Sequence, residues 1–169
     1  ALGNLGNAYD SLGDYTQAIN YHQQSLTILR EIGDRHCEGT VLGNLGNAHR
    51  SLGNYHQSID YYQQNLAIIR EIGDYNGEVI TLGNLGNACG SLGDYAQAID
   101  YYQQSFTIAR EISDRRGEGI ALGNLGLAYG SLGDYAQAID YYQQSLTVLR
   151  EIGDCQGERT VLGNLGNAH

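Results

Sequence analysis

The chain has 169 residues, with nine basic side chains against nineteen acidic ones and a formal net charge of −10. No run of eighteen apolar residues occurs, so no membrane span is expected, and the acidic balance argues against a phosphate-backbone partner. Hydrophobic residues make up 41% of the chain and include 14 Tyr, enough for a packed core rather than disorder.

The sequence repeats every 40 residues. The string LGNLG begins at Leu2, Leu42, Leu82, Leu122 and Leu162, and REI recurs at Arg30, Arg70, Arg110 and Arg150. Residues 81–120 and 121–160 share 29 identities in 40 positions. A period of this length marks a solenoid or array. The expected units are 1–40, 41–80, 81–120 and 121–160, with a partial fifth at 161–169. The pattern begins and ends inside a unit, so a single array that is an excerpt of a longer one is expected.

Each unit reads as two helices. In 41–80, Val41, Leu42, Leu45, Ala48, His49 and Leu52 follow spacings of three and four, which places them on one buried face. Gly53 ends that helix. Asn54 follows as an N-cap with Gln57 three residues on, and the pairs Asp14/Gln17, Asp94/Gln97 and Asp134/Gln137 repeat the pattern. The second helix carries Tyr55, Ser58, Ile59, Tyr62, Leu66, Ile69 and Ile72, and it stops at Gly73. Asp74 caps the next first helix. Gly43 and Gly46 weaken the first helix by roughly 0.5–1 kcal/mol each relative to Ala. Close approach of a neighbouring helix is the expected offset. Of the Tyr pairs 61/62, 101/102 and 141/142, one member belongs in the core. The other is expected between units, with its hydroxyl at a wet edge.

The pattern resembles the tetratricopeptide repeat family over essentially the whole chain. The resemblance is carried by Leu5/Gly6, the aromatic Tyr9, the Leu12-Gly13-Asp14-Tyr15 turn, and Ala18 with the aromatics Tyr62, Tyr102 and Tyr142. The 40-residue unit exceeds the family's usual 34, with the excess at Glu31–Cys37 and its equivalents. The family's Pro after the second helix is missing, and Arg30, Arg70, Arg110 and Arg150 stand near its place. Long units of this kind are similar to those of Pins-type G-protein-signalling modulators, kinesin light chains and bacterial scaffold proteins. The resemblance implies an all-α fold, an α-solenoid of helix-turn-helix repeats forming a right-handed superhelix. First helices line its concave groove.

Carried over residue by residue, the resemblance places Asn4, Asn7, Asn44, Asn47, Asn84, Asn87, Asn124, Asn164 and Asn167 in that groove. An Asn amide both donates and accepts, so a ladder of them suits an extended peptide backbone. The alternative is that duplication copied a residue that packs or back-bonds within its own helix. Arg50 is the only cation read at a groove-facing phase, suited to a ligand carboxylate or to plain solvation. Leu127 interrupts the ladder.

Catalytic and metal readings find little support. The five His and three Cys form no C-x-x-C, H-x-x-x-H or H-E-x-x-H. His49 and Cys89 share a phase, but two ligands fall short of a zinc site. The absence of Lys removes a phosphate loop. No catalysis, cofactor or metal is expected. The expected function is a cytoplasmic scaffold that binds a protein or peptide in the Asn-lined groove, with no nucleic acid or membrane partner. Two alternatives stand beside it: a self-assembling spacer built by end-to-end stacking, and a sensor domain of a larger regulatory protein.

Overall fold

Aspartates start the helices. Asp14, Asp94 and Asp134 accept the backbone N–H of Gln17, Gln97 and Gln137 at 3.0–3.1 Å. Asp34 and Asp114 do the same for Cys37 (3.0 Å) and Gly117 (2.9 Å). Each carboxylate satisfies an orphan donor and faces the positive end of the helix dipole. The computed structural model describes residues 1–167, Asn167 by its backbone alone. Among these residues the helices are α1 (Leu2–Leu12), α2 (Tyr15–Ile32), α3 (Arg35–Ser51), α4 (Tyr55–Ile72), α5 (Tyr75–Ser91), α6 (Tyr95–Glu111), α7 (Arg115–Ser131), α8 (Tyr135–Glu151) and α9 (Cys155–Asn167). No strand occurs among them.

The pairs run from Arg35, Tyr75 and Arg115, so the face that begins at Val41 is the later part of a longer helix. The residues beyond the usual family length therefore extend the helices of the pairs α3/α4, α5/α6 and α7/α8 to 17 or 18 residues rather than forming a loop. Asn54 departs from the expected capping pattern, because its side chain makes no cap bond. A neutral amide gains less from the helix dipole than the Asp carboxylates do. At the far end of α3, Gly53 takes φ +77°. Its N–H bonds the Arg50 carbonyl at 3.0 Å, and the Asn54 N–H reaches the His49 carbonyl at 2.9 Å. These paired bonds close a Schellman motif.

The chain divides into two compact units, residues 1–74 and residues from Tyr75 onward. In the first, α1 to α4 pack in sequence and α1 also meets α3. In the second, α5 to α9 pack in sequence, with α5 against α7 and α7 against α9. Val41, Leu42, Leu45, Leu26 and Ile68 form one core cluster, and Tyr142, Leu146, Leu149, Ala138 and Val161 another. Leu52 and Ile72, expected on buried faces, are 44% and 38% exposed. Both lie at helix C-termini, past the point where the neighbouring helix covers the stripe. The fold is thus an all-α solenoid of helical repeats.

The repeated glycine has a packing cause. A Cβ at Gly46 would overlap ring carbons of Tyr62, one at Gly86 would overlap those of Tyr102, and one at Gly126 would come within 2.7 Å of Tyr142. Each buried tyrosine of a second helix lies flat against the glycine of its first helix. The outer tyrosines of 61/62 and 141/142, and Tyr21, stack within their own helix pair rather than between units, whereas the place opposite Tyr101 holds Cys89, which has no ring. Tyr21 lies on Tyr9 (5.3 Å between ring centroids), Tyr61 on His49 (5.2 Å) and Tyr141 on Tyr129 (5.3 Å). A further tie joins second helices to the first helix that follows. Glu38 is buried at 4% exposure and receives Arg30 Nε at 2.9 Å and an Arg35 guanidinium N–H at 2.6 Å. Arg35 also holds Glu71 at 2.5 Å. In the second unit Arg115 pairs with Glu118 and Glu151 in the same way.

Candidate binding groove

Along each first helix, the residues that stay outside the core recur at fixed places. On α3 these are Thr40, Asn44 and Asn47, while Val41, Leu42, Leu45 and Ala48 are buried. The same phase on α5 holds Ile80, Asn84 and Asn87, and on α7 it holds Ile120, Asn124 and Leu127. This is a helical stripe at spacings of four and three.

In residues 1–74 the amides are used by the protein itself. Asn44 Nδ2 donates to Asn7 Oδ1 at 3.0 Å. The buried Tyr62 hydroxyl donates to Asn47 Oδ1 at 2.6 Å. Arg50, exposed on the same helix, lies beside that hydroxyl. Burial holds the Tyr62 phenol above its ordinary range, with Arg50 and Ser58 acting against it, so it remains a donor. Asn4 is exposed. In the first pair His22 takes the place of the tyrosine, and its Nε2 meets Asp10 Oδ2 at 2.9 Å.

From Tyr75 onward the arrangement changes. Asn87 still accepts from a buried tyrosine, Tyr102, at 2.8 Å. Asn84 and Asn124 are half-buried, and among the described residues neither amide finds a hydrogen-bond partner. Both line a cavity of about 330 Å³ between α5 and α7, together with Asn87, Ile80, Ile120 and Arg116. Ile80 and Ile120 are 65% and 50% exposed. A second cavity of about 230 Å³ lies between α7 and α9, where Asn124, Asn164, Leu149 and Val161 share it with Arg116 and Ile120. Arg116 is paired with Asp154 at 3.3 Å, yet its side chain is 70% exposed. Asn167 is the last of the expected amides, and its side chain lies outside the described residues.

Arg50 is therefore not the only cation on this face; Arg116 lines both cavities. The expected stripe was read from residues 44 and 47 onward and missed the earlier half of each helix, where Arg116, Ile80 and Ile120 stand. The sequence did carry a mark of them. Position 36 and its equivalents read His, Asn, Arg and Gln, and position 40 reads Thr, Ile, Ile and Thr, while the LGNLG strings between them never change.

Among the described residues no group of three His, Cys, Asp or Glu is placed to hold a metal ion. His49 is buried against Tyr61, and burial lowers its pKa from the ordinary 6.5. The Cys89 thiol is buried and pushed up to about 11 by desolvation. No described helix is long and apolar enough to cross a membrane.

A family model for the tetratricopeptide repeat matches residues 37–111 and 113–169, and a second tetratricopeptide model matches residues 1–35. The chain belongs to the tetratricopeptide repeat family. Solved structures agree on the fold. A signal transduction ATPase with numerous domains and a tetratricopeptide repeat sensor, from Pyrococcus horikoshii, superposes with a TM-score of 0.91 at 22% identity. The match covers 99% of this chain and 26% of that one, so the chain spans about a quarter of that protein. BtubC from P. vanneervenii matches at TM-score 0.86 and 18% identity, over 99% of this chain and 70% of that one. A Podosopora anserina kinesin light chain candidate with nearly identical TPR-like repeats matches at 0.82 and 16%, over 99% and 82%. No curated protein matches the chain. Tetratricopeptide repeats are in general a non-catalytic fold that mediates protein–protein interaction.

Proposed function

We propose that this tetratricopeptide array binds an extended polypeptide segment, and that the groove of residues 75–169 is where it does so. One observation carries this reading. Asn84 and Asn124 present unpaired, half-buried amides to a cavity walled by the exposed side chains of Ile80 and Ile120. Amides in that state hold a peptide backbone by pairing with its N–H and C=O groups. The isoleucines take apolar side chains. Arg116, at the rim of both cavities, offers the free edge of its guanidinium to a carboxylate of the segment.

Asn47 and Asn87 serve a different purpose in this reading. Their carbonyl oxygens hold the buried tyrosines, so replacing them removes an acceptor from the core. The discriminating variant is Asn84→Ala/Asn124→Ala. Panning a displayed random peptide library against the chain should recover binders that lose about tenfold in affinity with the double variant, as expected for two hydrogen bonds of about 0.5–1.5 kcal/mol each. Recovered peptides that bind the double variant as tightly as the parent would remove the groove from the account.

A further inference from the structure

The buried tyrosine of each second helix tests the residue opposite it on the first. Tyr62 and Tyr102 donate their hydroxyl protons to Asn47 and Asn87. In the next repeat the same place on α7 is Leu127. The ring of Tyr142 keeps its seat against Gly126 and is 2% exposed. Among the described residues its hydroxyl makes no hydrogen bond. Burial raises the pKa of this phenol, so the hydroxyl keeps its proton. The hydroxyl oxygen itself is not enclosed by the protein, so it stands open to an acceptor from outside the chain.

The residue at the amide's place is apolar and exposed. Leu127 is 49% exposed, an apolar side chain facing water where the sequence places Asn7, Asn47, Asn87 and Asn167 in the other units. One turn further on, Gly130 stands where the second repeat has Arg50, which removes a side chain from beside the site. The outward stripe of α7 from Ile120 through Asn124 and Leu127 to Gly130 carries no charge. It is continuous with Asn124 and Ile120, which line both cavities. An uncharged stripe with one apolar contact and one free donor calls for an uncharged apolar residue with an acceptor beside it. An extended chain supplies both at once, as a side chain and the adjoining backbone carbonyl.

We propose that Leu127 and the Tyr142 hydroxyl form a specificity subsite of the groove. Leu127 takes an apolar side chain of the bound segment, and the Tyr142 hydroxyl donates to the backbone carbonyl next to it. This rests on the reading of residues 75–169 as a peptide groove. The substitution that removes the amide leaves both groups facing outward in the free protein, where a bound segment can cover them.

The test pans a displayed random twelve-residue peptide library against four proteins in parallel: the parent 169-residue chain, Leu127→Asn, Tyr142→Phe and Asn84→Ala/Asn124→Ala. Recovered peptides are synthesised and their affinities measured by fluorescence anisotropy. Peptides recovered on the parent should share an apolar position. Leu127→Asn should weaken them at least tenfold, and its own selection should lose that position. Tyr142→Phe should weaken them about threefold to tenfold and keep the apolar preference. Thermal unfolding of Leu127→Asn should lie at or above the parent, because the new amide restores the acceptor found opposite Tyr62 and Tyr102.

Peptides that lose binding to Asn84→Ala/Asn124→Ala but bind Leu127→Asn within twofold of the parent would leave the groove standing and overturn the subsite. A Leu127→Asn protein that melts well below the parent would show Leu127 to be a packing residue and overturn the subsite as well. Recovery of no peptide on the parent would overturn the groove, and the subsite with it.

Discussion

Residues 1–74 and residues 75–169 are built from the same repeat and both tie one outward amide to a buried tyrosine, yet they treat the amide at Asn44 and its equivalents differently. In the first unit Asn44 bonds Asn7 and Asn47 holds Tyr62. The face between them bears Thr40 and Arg50, and the Thr40 hydroxyl donates to the His36 carbonyl of its own helix at 3.2 Å. In the second unit Asn84 and Asn124 have no partner among the described residues, and Ile80, Ile120 and Leu127 flank them. A surface that satisfies itself offers little to a ligand. One that leaves half-buried polar groups unpaired beside exposed apolar ones gains when something covers it. The difference teaches that identical LGNLG strings do not make identical surfaces; the residues that flank them decide.

The largest effect expected from a single change comes from the glycine that both units share. Gly46→Ala drives a methyl group into the ring of Tyr62, which is fully buried and has nowhere to move. A loss of about 1–3 kcal/mol is expected from such overpacking, read by urea denaturation. Gly83→Ala, one turn before the equivalent Gly86 in the second unit, is the contrasting change. Nothing lies within 4 Å of a Cβ there. Helix propensity should then raise stability by up to about 1 kcal/mol, while the added methyl narrows the cavity that Gly83 lines. Equal losses from both substitutions would break the packing account.

Next in size is the contrast between the amides. Asn47→Ala strands the Tyr62 hydroxyl in the core and should cost about 1–2 kcal/mol. Asn84→Ala removes a group with no described partner and should leave denaturation within about 0.5 kcal/mol of the parent. Similar losses for the two would show that the protein uses Asn84 internally as it uses Asn47.

Ser113 sharpens the comparison from a different side. It holds φ +61°, where the equivalent Gly33, Gly73 and Gly153 hold +71°. A left-handed conformation costs a residue with a Cβ roughly 1 kcal/mol. Ser113→Gly should therefore stabilise the second unit by about that amount, and an unchanged denaturation midpoint would count against strain at this turn.

The smallest effect is a pH dependence confined to the first unit. Burial lowers the His49 pKa below 6.5. The unfolded chain then binds the proton more readily than the folded one, so stability should fall as pH drops below about 6.5 and stop falling below the folded value. His49→Tyr, which copies Tyr9 and Tyr129, should flatten the denaturation midpoint over that interval. At lower pH a separate loss is expected in both proteins. Burial of Glu38 raises its pKa, but Arg30 and Arg35 together outweigh this and hold it below the ordinary carboxylate value. The Arg35 hydrogen bond holds Glu71 down as well. Stability from these groups is full above the ordinary carboxylate range and is lost as pH falls through the folded values.

Much of this was legible in the residues. The 40-residue period, the two helices per unit, the Asp caps and the buried face of Leu42, Leu45 and Ala48 all follow from spacing, because helical periodicity is a local property of the chain. The need of Gly46 for a close neighbour was also legible, though not that the neighbour is the ring of Tyr62. The stacking of Tyr61 on His49 and the holding of Glu38 by Arg30 and Arg35 were not, since each depends on how one helix lies against the next. Nor was the commitment of Asn47 and Asn87 to tyrosine hydroxyls, which turns two expected ligand contacts into core supports.

The sequence by itself determined that this is an all-α array of tetratricopeptide repeats, with a polar stripe on its first helices. Only the tertiary structure decided which members of that stripe are free. A hydrogen bond needs two partners within about 3 Å, and the partners of Asn44 and Asn47 lie on other helices, 37 and 15 residues away. Asn84 and Asn124, the counterparts of Asn44, find no such partner among the described residues, although Asn87 stands 37 residues before Asn124 as Asn7 stands before Asn44.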